Sequence, residues 1–551
     1  EYFLGNRGLG PWVLALTVAA TAISGGTFMG FPSLIYSNGW IMALWICSYM
    51  VVPITTMALM GKRINQVARI AGSVTVPDVL RDRFESPGLG ILSSLLILFF
   101  LCFNLVAQFK GGGLVLKEAM RIRPTPATFL PDQTRVDEQK NLVLSFRLPD
   151  GQIDTQKVPL PGDRFTHQIK SVNEEAREVE VLFSEGPRQV RKLVPFPPRK
   201  TSIAWLSKPV ETGYLIGLGI FALTVIAYTT YGGYWAVTLT DLLAGLVMLA
   251  GVLLMAVLAV NAVEAKNGYT GLGAATEHLR EITPPDGQKG DLVTGPGPKA
   301  FLPLGMAFSF FLMWSLMAAG QPSGMVRLMS YRDVPSLKKA LFLVSFYYIL
   351  TYVALLIIFI CARALYPTEY LRDVGSEGVP DSIMPAMARR LAPPLLAGLL
   401  LAAPYAAIMS TVAAFLLMIS SSLVRDIYQR TINPNASQRT LKVVSYTITA
   451  LVGVVVMLGA LNPPDFLQYI IVFTGSGQGC AFLVPMLLAL YWRRATRQGV
   501  LAGMLGGFLT VLVLYALGWI DSASQSRSTG LARWLQDNLT WLPGWGEKRL
   551  D

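Results

Sequence analysis

The sequence predicts an all-α polytopic membrane protein built on a five-plus-five inverted repeat, with an extra C-terminal helix and a small β-rich extracytoplasmic insert. Three observations carry that prediction. Of 551 residues, 53% are hydrophobic and only 15% charged, and the mean hydropathy is +0.48, as expected of a chain that lives largely in lipid. Eleven apolar segments are long enough to cross a bilayer, which takes about 20 helical residues. The first and the sixth of these are interrupted by glycine and proline at corresponding places.

The spans are expected at 11–33, 38–60, 89–116, 211–230, 236–262, 301–325, 340–364, 394–424, 442–461, 465–491 and 498–519. If they alternate, four basic stretches fall on one side. These are Lys62 to Arg83, Arg327 to Lys339, Arg425 to Arg439, and Arg493 with Arg494 and Arg497. Basic short loops mark the cytoplasmic side, so the first span runs outward. The same rule accounts for the net charge of +12 without a nucleic-acid partner.

This count divides the chain into a transmembrane core at 1–118 and 211–520, an insert at 119–210 and a polar tail at 521–551. The insert lies outside. Leu142 to Phe146 and Val179 to Phe183 alternate like strands, and Pro149-Asp150-Gly151 and Glu185-Gly186-Pro187 read as turns. It is expected to be an accessory module without chemistry of its own. The outer loop 365–393 is expected to carry short helices that gate a vestibule.

Enzyme chemistry finds little footing. His167 and His278 lie in polar loops, and Cys47, Cys102, Cys361 and Cys480 sit singly in apolar segments, where they read as small core residues and not as disulfides or metal ligands. The chain opens at Glu1 without a methionine and reads as a fragment.

The first span contains Ser24-Gly25-Gly26-Thr27, followed by Gly30 and Pro32. Small residues let membrane helices approach closely. Glycine and proline also weaken a helix, and in lipid a broken helix is tolerated where it lines a cavity. On the stretch alone the two readings stand level. The sixth span tips the balance, because it carries Ala318-Ala319-Gly320-Gln321-Pro322-Ser323-Gly324. Paired interruptions in inverted halves point to the binding site of an alternating-access transporter. Such a transporter needs oxygen ligands for a hard coupling ion. The adjacent hydroxyls Ser410 and Thr411 in the eighth span offer them, or else bond back to their own helix.

The chain resembles the sodium:solute symporter family and, within it, the bacterial sodium/pantothenate group. The resemblance rests on Glu1-Tyr2-Phe3-Leu4-Gly5-Asn6-Arg7, on Ala22-Ile23-Ser24 with Phe28 and Gly30, and on Tyr231-Gly232-Gly233 with Thr240-Asp241. It continues through Arg327-Leu328-Met329-Ser330-Tyr331-Arg332-Asp333, Leu401-Ala402-Ala403-Pro404 running into Ala407-Ile408-Met409-Ser410-Thr411, and Ser420-Ser421 with Asp426 and Tyr428. It closes with Ala489-Leu490-Tyr491-Trp492-Arg493-Arg494 and Gly499, where Val500 replaces the usual alanine.

The resemblance implies the LeuT-type fold, a helix ahead of the Glu1 motif, and a sodium site between the first and eighth spans. The ligands would be the carbonyls of Ala20, Ile23 and Ala407 and the hydroxyls of Ser410 and Thr411. Some relatives hold a second sodium with the aspartate matching Asp241 and two serines. Those serine positions are Ala413 and Ala414 here, so one sodium per cycle is expected. Asp241 is expected to have a gating or structural role, with a cytosol-facing carboxylate as the alternative. The solute is expected at the two breaks, against Ser24, Gly26, Thr27 and Phe28 from the first and Trp314, Met317 and Gln321 from the sixth. Lys110 is expected to snorkel toward the outer surface.

The expected function is sodium-coupled symport of a small organic solute by alternating access, the solute being a carboxylate, a vitamin such as pantothenate, or an amino acid. The alternative is a transporter-like membrane sensor of such a solute. The expected partners are sodium, the solute and the lipid bilayer, with no cofactor beyond the coupling ion. The expected setting is the bacterial inner membrane, as a multi-pass monomer.

Overall fold

A computed structural model describes residues 8–524 apart from 121–126, 138–140, 149–150, 161–165, 174–177, 186–187, 198–199, 204–205, 207–208, 283–289, 368–379 and 463–466. The Glu1 to Arg7 motif, most of the two expected insert turns and nearly all of the tail lie outside the described residues.

Each of the eleven apolar segments is helical. α1 (Pro11–Ala22) and α2 (Phe31–Asn38) form one interrupted span, joined through a π-helical turn at Gly26–Gly30. α3 (Met42–Pro53) continues through a π-helical stretch, Ile54–Gly61, into α4 (Lys62–Ala71). α5 (Val76–Phe84) is a short inner helix and α6 (Pro87–Met120) the third span. α7 (Thr212–Ala262) holds two spans, parted at Gly233 with φ 62° and ψ −166°. That backbone conformation suits a residue without Cβ, and it falls between the expected ends at 230 and 236.

After α8 (Gly271–Glu281), a short outer helix, the sixth span is α9 (Leu304–Met317) and α10 (Pro322–Leu328), bent by 50°. α11 (Val334–Leu365) follows, then the outer helix α12 (Ile383–Leu391) and α13 (Pro394–Ser421) with its π-helical continuation Ser422–Ile432. α14 (Gln438–Gly459) and α15 (Leu467–Tyr491) complete the second set of five, and α16 (Arg497–Ser524) is the extra helix. α13 lies centrally, packed on α6 and α7, and α1 lies against α11, α7 and α13.

Leu223, Leu243, Phe308, Phe342, Leu395 and Leu509 are exposed. On a protein in water such a belt would be a liability; here it is the face that meets lipid. Cys47 is exposed as well, and of the four free cysteines only Cys361 is buried. The expectation of four core cysteines is corrected: an exposed apolar side chain costs nothing when lipid is the solvent.

The insert contains two three-stranded antiparallel meanders. One pairs β1 (Thr128–Val136), β2 (Asn141–Arg147) and β3 (Ile153–Pro159). The other pairs β4 (Thr166–Asn173), β5 (Glu178–Glu185) and β6 (Arg188–Pro195). Both runs expected as strands become central strands. Phe146 and Phe183 are fully buried in a core of their own with Leu142, Leu144, Val179 and Val181. A two-stranded ladder, β7 (Lys200–Thr201) with β8 (Val210–Glu211), leads into α7.

The turn between α10 and α11 shows what its motif does. Leu9 N–H donates to Ser330 O at 3.2 Å, and Arg332 N–H to Leu9 O at 3.1 Å. Asn65 Nδ2 donates to Met329 O at 3.1 Å, and Arg69 Nη2 to Tyr331 O at 2.8 Å. Asp333 caps α11 by accepting Ser336 N–H at 2.9 Å. That bond is the main reason its carboxyl is held at about 2, so the cap stays ionised at physiological pH.

Candidate functional site

The break in the first span can be read from its hydrogen bonds. In an intact helix the carbonyls of Ala20, Thr21, Ala22 and Ile23 would accept from the N–H groups four residues on. Those N–H groups go elsewhere. Ser24 N–H points to Thr27 Oγ1 at 3.4 Å, and Gly25 N–H donates to Gln108 Oε1 at 2.8 Å. Gly26 N–H donates to Ser24 Oγ at 3.1 Å, and Thr27 N–H to Ser24 O at 2.9 Å. Ile23 itself turns extended, with φ −83° and ψ 108°. Four successive carbonyls are thereby released from the helix at mid-membrane depth, where each needs a new partner.

α13 faces them. Ser410 Oγ lies 3.1 Å from Ala20 O, and Thr411 Oγ1 lies 3.0 Å from Ala407 O and 3.5 Å from Thr21 O. Such separations match neighbouring ligands around one hard cation with metal–oxygen distances of about 2.4 Å. The Ser410 hydroxyl also lies 2.6 Å from Asp241 Oδ1. With its proton on that carboxylate, its lone pairs stay available on the side of Ala20. Of the five residues expected as ion ligands, Ser410 meets Ala20 across the two spans, whereas Thr411 makes its shorter contact within its own helix, to Ala407, as the back-bonding alternative has it. Ile23 is where the helix stops. Thr21, one residue from the expected Ala20, has its carbonyl in the same group.

Asp241 does not face the cytosol, so that alternative is corrected. Its side chain is fully buried and pairs with Arg327 Nη2 at 2.7 Å. Arg327 Nη1 reaches Thr238 Oγ1 at 3.4 Å, and Thr21 Oγ1 lies 3.5 Å from Asp241 Oδ2. A lone carboxylate this deep would be prohibitive, and the arginine supplies the counter-charge. Arg327, read as part of a loop motif, gave no hint of this partner 86 residues away.

The sixth span breaks differently. Ala318–Gly320 tightens to a 3₁₀ turn, Gln321 goes extended at φ −78° and ψ 122°, and Pro322 restarts the helix. Gln321 N–H keeps a backbone partner, Ala318 O at 3.1 Å. A Cβ on Gly320 would come within 2.9 Å of Leu483 N and 3.1 Å of Gly479 Cα, so this turn is pressed against α15.

α15 is the wall common to both breaks. Cβ positions built on Gly26 and Gly30 fall beside Ile471 and Gln468. One built on Gly475 falls 3.3 Å from the Trp314 ring and 3.6 Å from Gln321 Nε2, and one on Gly479 meets Met317. Gly26, Trp314, Met317 and Gln321, all expected at the solute, are therefore brought to one helix. Thr27 Oγ1 turns to Tyr352 OH at 3.4 Å. Tyr49 stacks on Trp314 and on Tyr352, each at 4.8 Å between ring centroids. Ser24 serves its own turn, and Phe28 is fully buried in it.

Sequence reasoning missed Gln108, Tyr49, Tyr352 and Gln468. The signals were faint: polar side chains within apolar spans, and the run Gly475-Ser476-Gly477-Gln478-Gly479, which looks like a packing stripe. The Gln468 carboxamide is buried beside the Tyr49 hydroxyl, and neither of its polar atoms makes a well-formed hydrogen bond among the described residues. The same holds for Trp314 Nε1. Leaving a buried polar group unsatisfied costs about 1–3 kcal/mol, a cost that a bound solute can remove.

The site opens to one side. A narrow cleft, partly open to solvent, is lined by Thr21, Thr75, Ser323, Arg327, Ser421 and Ser422 among others. It lies on the side of the basic 61–88 loop. Its rim is tied by Asp78, which meets Arg430 at 2.9 Å and Arg425 at 3.3 Å, and by Asp426, which accepts from Thr75 Oγ1 at 3.1 Å. On the opposite side Lys110 does not snorkel. It is buried and lies 2.7 Å from Asp381 Oδ2, because the turn ahead of α12 folds a carboxylate over it.

Four similarities bear on this arrangement. The family model described as "Sodium:solute symporter family" matches residues 2–130 and 205–507, skipping most of the insert. The chain is 27% identical over 523 residues to the sodium/pantothenate symporter of Haemophilus influenzae, covering 94% of this chain and 84% of that one. It is 24% identical over 536 residues to the osmoregulated proline transporter of Bacillus subtilis, covering 96% and 85%. A solved structure of a Na+-coupled sialic acid symporter, substrate-bound and outward-open, matches with a TM-score of 0.59 at 16% identity, over 93% of this chain and 92% of that one. The protein carries the LeuT-type fold and works as a membrane transporter with sodium as its coupling ion, not as an enzyme. With its two interrupted spans and their shared pocket, this chain belongs to the sodium:solute symporter family.

Proposed function

We propose that this symporter imports a small carboxylate solute with one sodium ion per cycle. Sodium is held by the carbonyls of Ala20, Ile23 and Ala407 and the hydroxyls of Ser410 and Thr411. The observation that carries this reading is the release of four carbonyls at the first break directly opposite two hydroxyls of α13. Asp241 positions the Ser410 hydroxyl, and Arg327 balances Asp241. The arginine occupies the surroundings in which a second ion would need oxygen ligands, and Ala413 and Ala414 provide none.

The solute lies between the breaks, against Ser24, Gly26, Thr27, Phe28, Trp314, Met317 and Gln321, with α15 as the third wall. Exposed N–H groups at a broken helix attract carboxylates. Pantothenate and proline, named for the two relatives, both carry one. Pantothenate is the first solute to test. Sodium bound at the first break stabilises its unwound form, the solute docks beside it, and the repeat rocks to open the inner cleft. A membrane potential of 100 mV adds about 2.3 kcal/mol per charge moved. The insert is accessory, and the monomer is the working unit.

The test is uptake of labelled pantothenate into proteoliposomes with and without an inward sodium gradient. The proposal expects gradient-dependent accumulation with a sodium Hill coefficient near 1. A coefficient clearly above 1 contradicts the single ion, and sodium-independent uptake contradicts the coupling site.

A further inference from the structure

The outer half of the protein holds a buried ion pair that sodium coupling does not use. Lys110 Nζ, on α6, lies 2.7 Å from Asp381 Oδ2, and both side chains are buried. Asp381 stands in the turn Pro380–Ser382 that leads into α12. The same Oδ2 accepts Leu467 N–H at 3.0 Å, and Leu467 is the first residue of α15. Asp381 Oδ1 has no hydrogen-bond partner among the described residues. An ammonium and the N–H at a helix start thus converge on one carboxylate oxygen, an arrangement suited to carboxylates in general. Gln468, with its unsatisfied carboxamide, comes next in the chain and lies against Gly26 and Gly30.

A buried ion pair is a poor stability device, because desolvation cancels much of the attraction. Its place in the fold suggests a different use. The Pro380–Ser382 turn contacts α2, α6 and the π-helical turn of the first break, so it lies over the outer end of that break. Alternating access requires that cover to move before solute can arrive from that side. When it does, Asp381 departs, and Lys110 Nζ and Leu467 N–H lose the same acceptor together.

We propose that Lys110 Nζ and Leu467 N–H form an outer capture subsite for the carboxylate of the solute, and that Asp381 is the internal carboxylate that takes its place when the outer side closes. This rests on the carboxylate reading of the solute. Closure then pushes the solute inward past Gln468, because Asp381 Oδ2 returns to the position between Lys110 Nζ and Leu467 N–H that the solute carboxylate had taken.

The experiment measures sodium-driven pantothenate uptake by the wild type, Asp381→Asn, Lys110→Gln and the double variant, with pantothenol, the alcohol lacking the carboxylate, as competitor. In the double variant, which removes both charges of the pair, the solute KM is expected to rise about tenfold while the sodium KM stays within about twofold. Asp381→Asn alone is expected to lower the solute KM, because the internal competitor is gone. Pantothenol should compete poorly against the wild type and nearly as well as pantothenate against the double variant. A merely structural latch predicts the opposite: equal losses in both single variants and a wild-type KM in the double. If the double variant does not reach the membrane, Asp381→Asn decides, and a raised KM overturns the proposal. Wild-type preference for pantothenate that survives in the double variant overturns the capture subsite alone. A wild type that takes up neither pantothenate nor proline with sodium overturns the carboxylate reading and the subsite with it.

Discussion

The two broken spans occupy equivalent places in the inverted repeat, yet their chemistry is opposite. At the first break, side chains capture the N–H groups: Gln108 takes Gly25, and Ser24 takes Gly26. The carbonyls are left over, opposite Ser410 and Thr411. At the sixth break the backbone keeps its own bond from Gln321 to Ala318, and proline restarts the helix without needing a donor. Its glycine is pressed on the α15 backbone. One break therefore leaves oxygens unpaired, and the other presents a tight surface and an arginine. A repeat that began symmetric divides its work according to which backbone groups are left unpaired.

Removing charge from the link between the two halves should have the largest effect. Asp241→Asn leaves the Arg327 guanidinium buried without a counter-ion, which should cost about 3–5 kcal/mol of stability, read as a lowered Tm in detergent. Pairing it with Arg327→Met should recover most of that Tm but not the wild-type sodium KM, because Ser410 loses its ionised partner. Full recovery of both would reduce Asp241 to a structural charge.

Gly320→Ala comes next. Its Cβ meets backbone atoms that cannot rotate away, so a loss of about 1–3 kcal/mol is expected from overpacking. Gly26→Ala meets side-chain atoms alone, of Ile471 and Gln468, which can move, and should be milder in Tm. Equal losses would contradict the view that the sixth break is the tighter one.

Gln468→Leu sharpens the account of the shared wall. It removes a buried unsatisfied carboxamide, so Tm should hold or rise, while the solute KM should rise about tenfold, or about 1.4 kcal/mol of lost binding. A fall in Tm with an unchanged KM would make Gln468 a core residue only. The smallest effect is expected from replacing 121–209 with a short flexible linker. The insert has its own hydrophobic core, and uptake should stay within about twofold, since longer or shorter loops change closure entropy only slowly.

Much of this architecture was legible in the chain. Hydropathy marks spans because lipid admits few other segments, and it placed even the division of α7, which Gly233 then explains. Gly25-Gly26 and Gly320-Gln321-Pro322 were legible because such residues are costly in a helix. The packing and broken-helix readings of Ser24 to Thr27 both turn out to hold: the carbonyls are released, and the glycines also let Gln468, Ile471 and Ile408 approach. What stayed hidden were pairings between distant residues. Asp241 with Arg327, Lys110 with Asp381, and Asn104 Nδ2 with Thr474 Oγ1 at 2.9 Å each join distant parts of the chain, and local periodicity carries no information about them. Gln468 was hidden because one polar residue at a helix start looks like surface.

The central claim is that the released carbonyls and the Ser410–Thr411 pair make one coupling site. Equilibrium binding of labelled sodium to purified protein, wild type beside the Ser410→Ala, Thr411→Ala double variant, tests it most directly. The account predicts one sodium per wild-type chain and none at millimolar sodium in the double variant, with near-normal Tm. Two ions in the wild type, or one retained in the double variant, would contradict it.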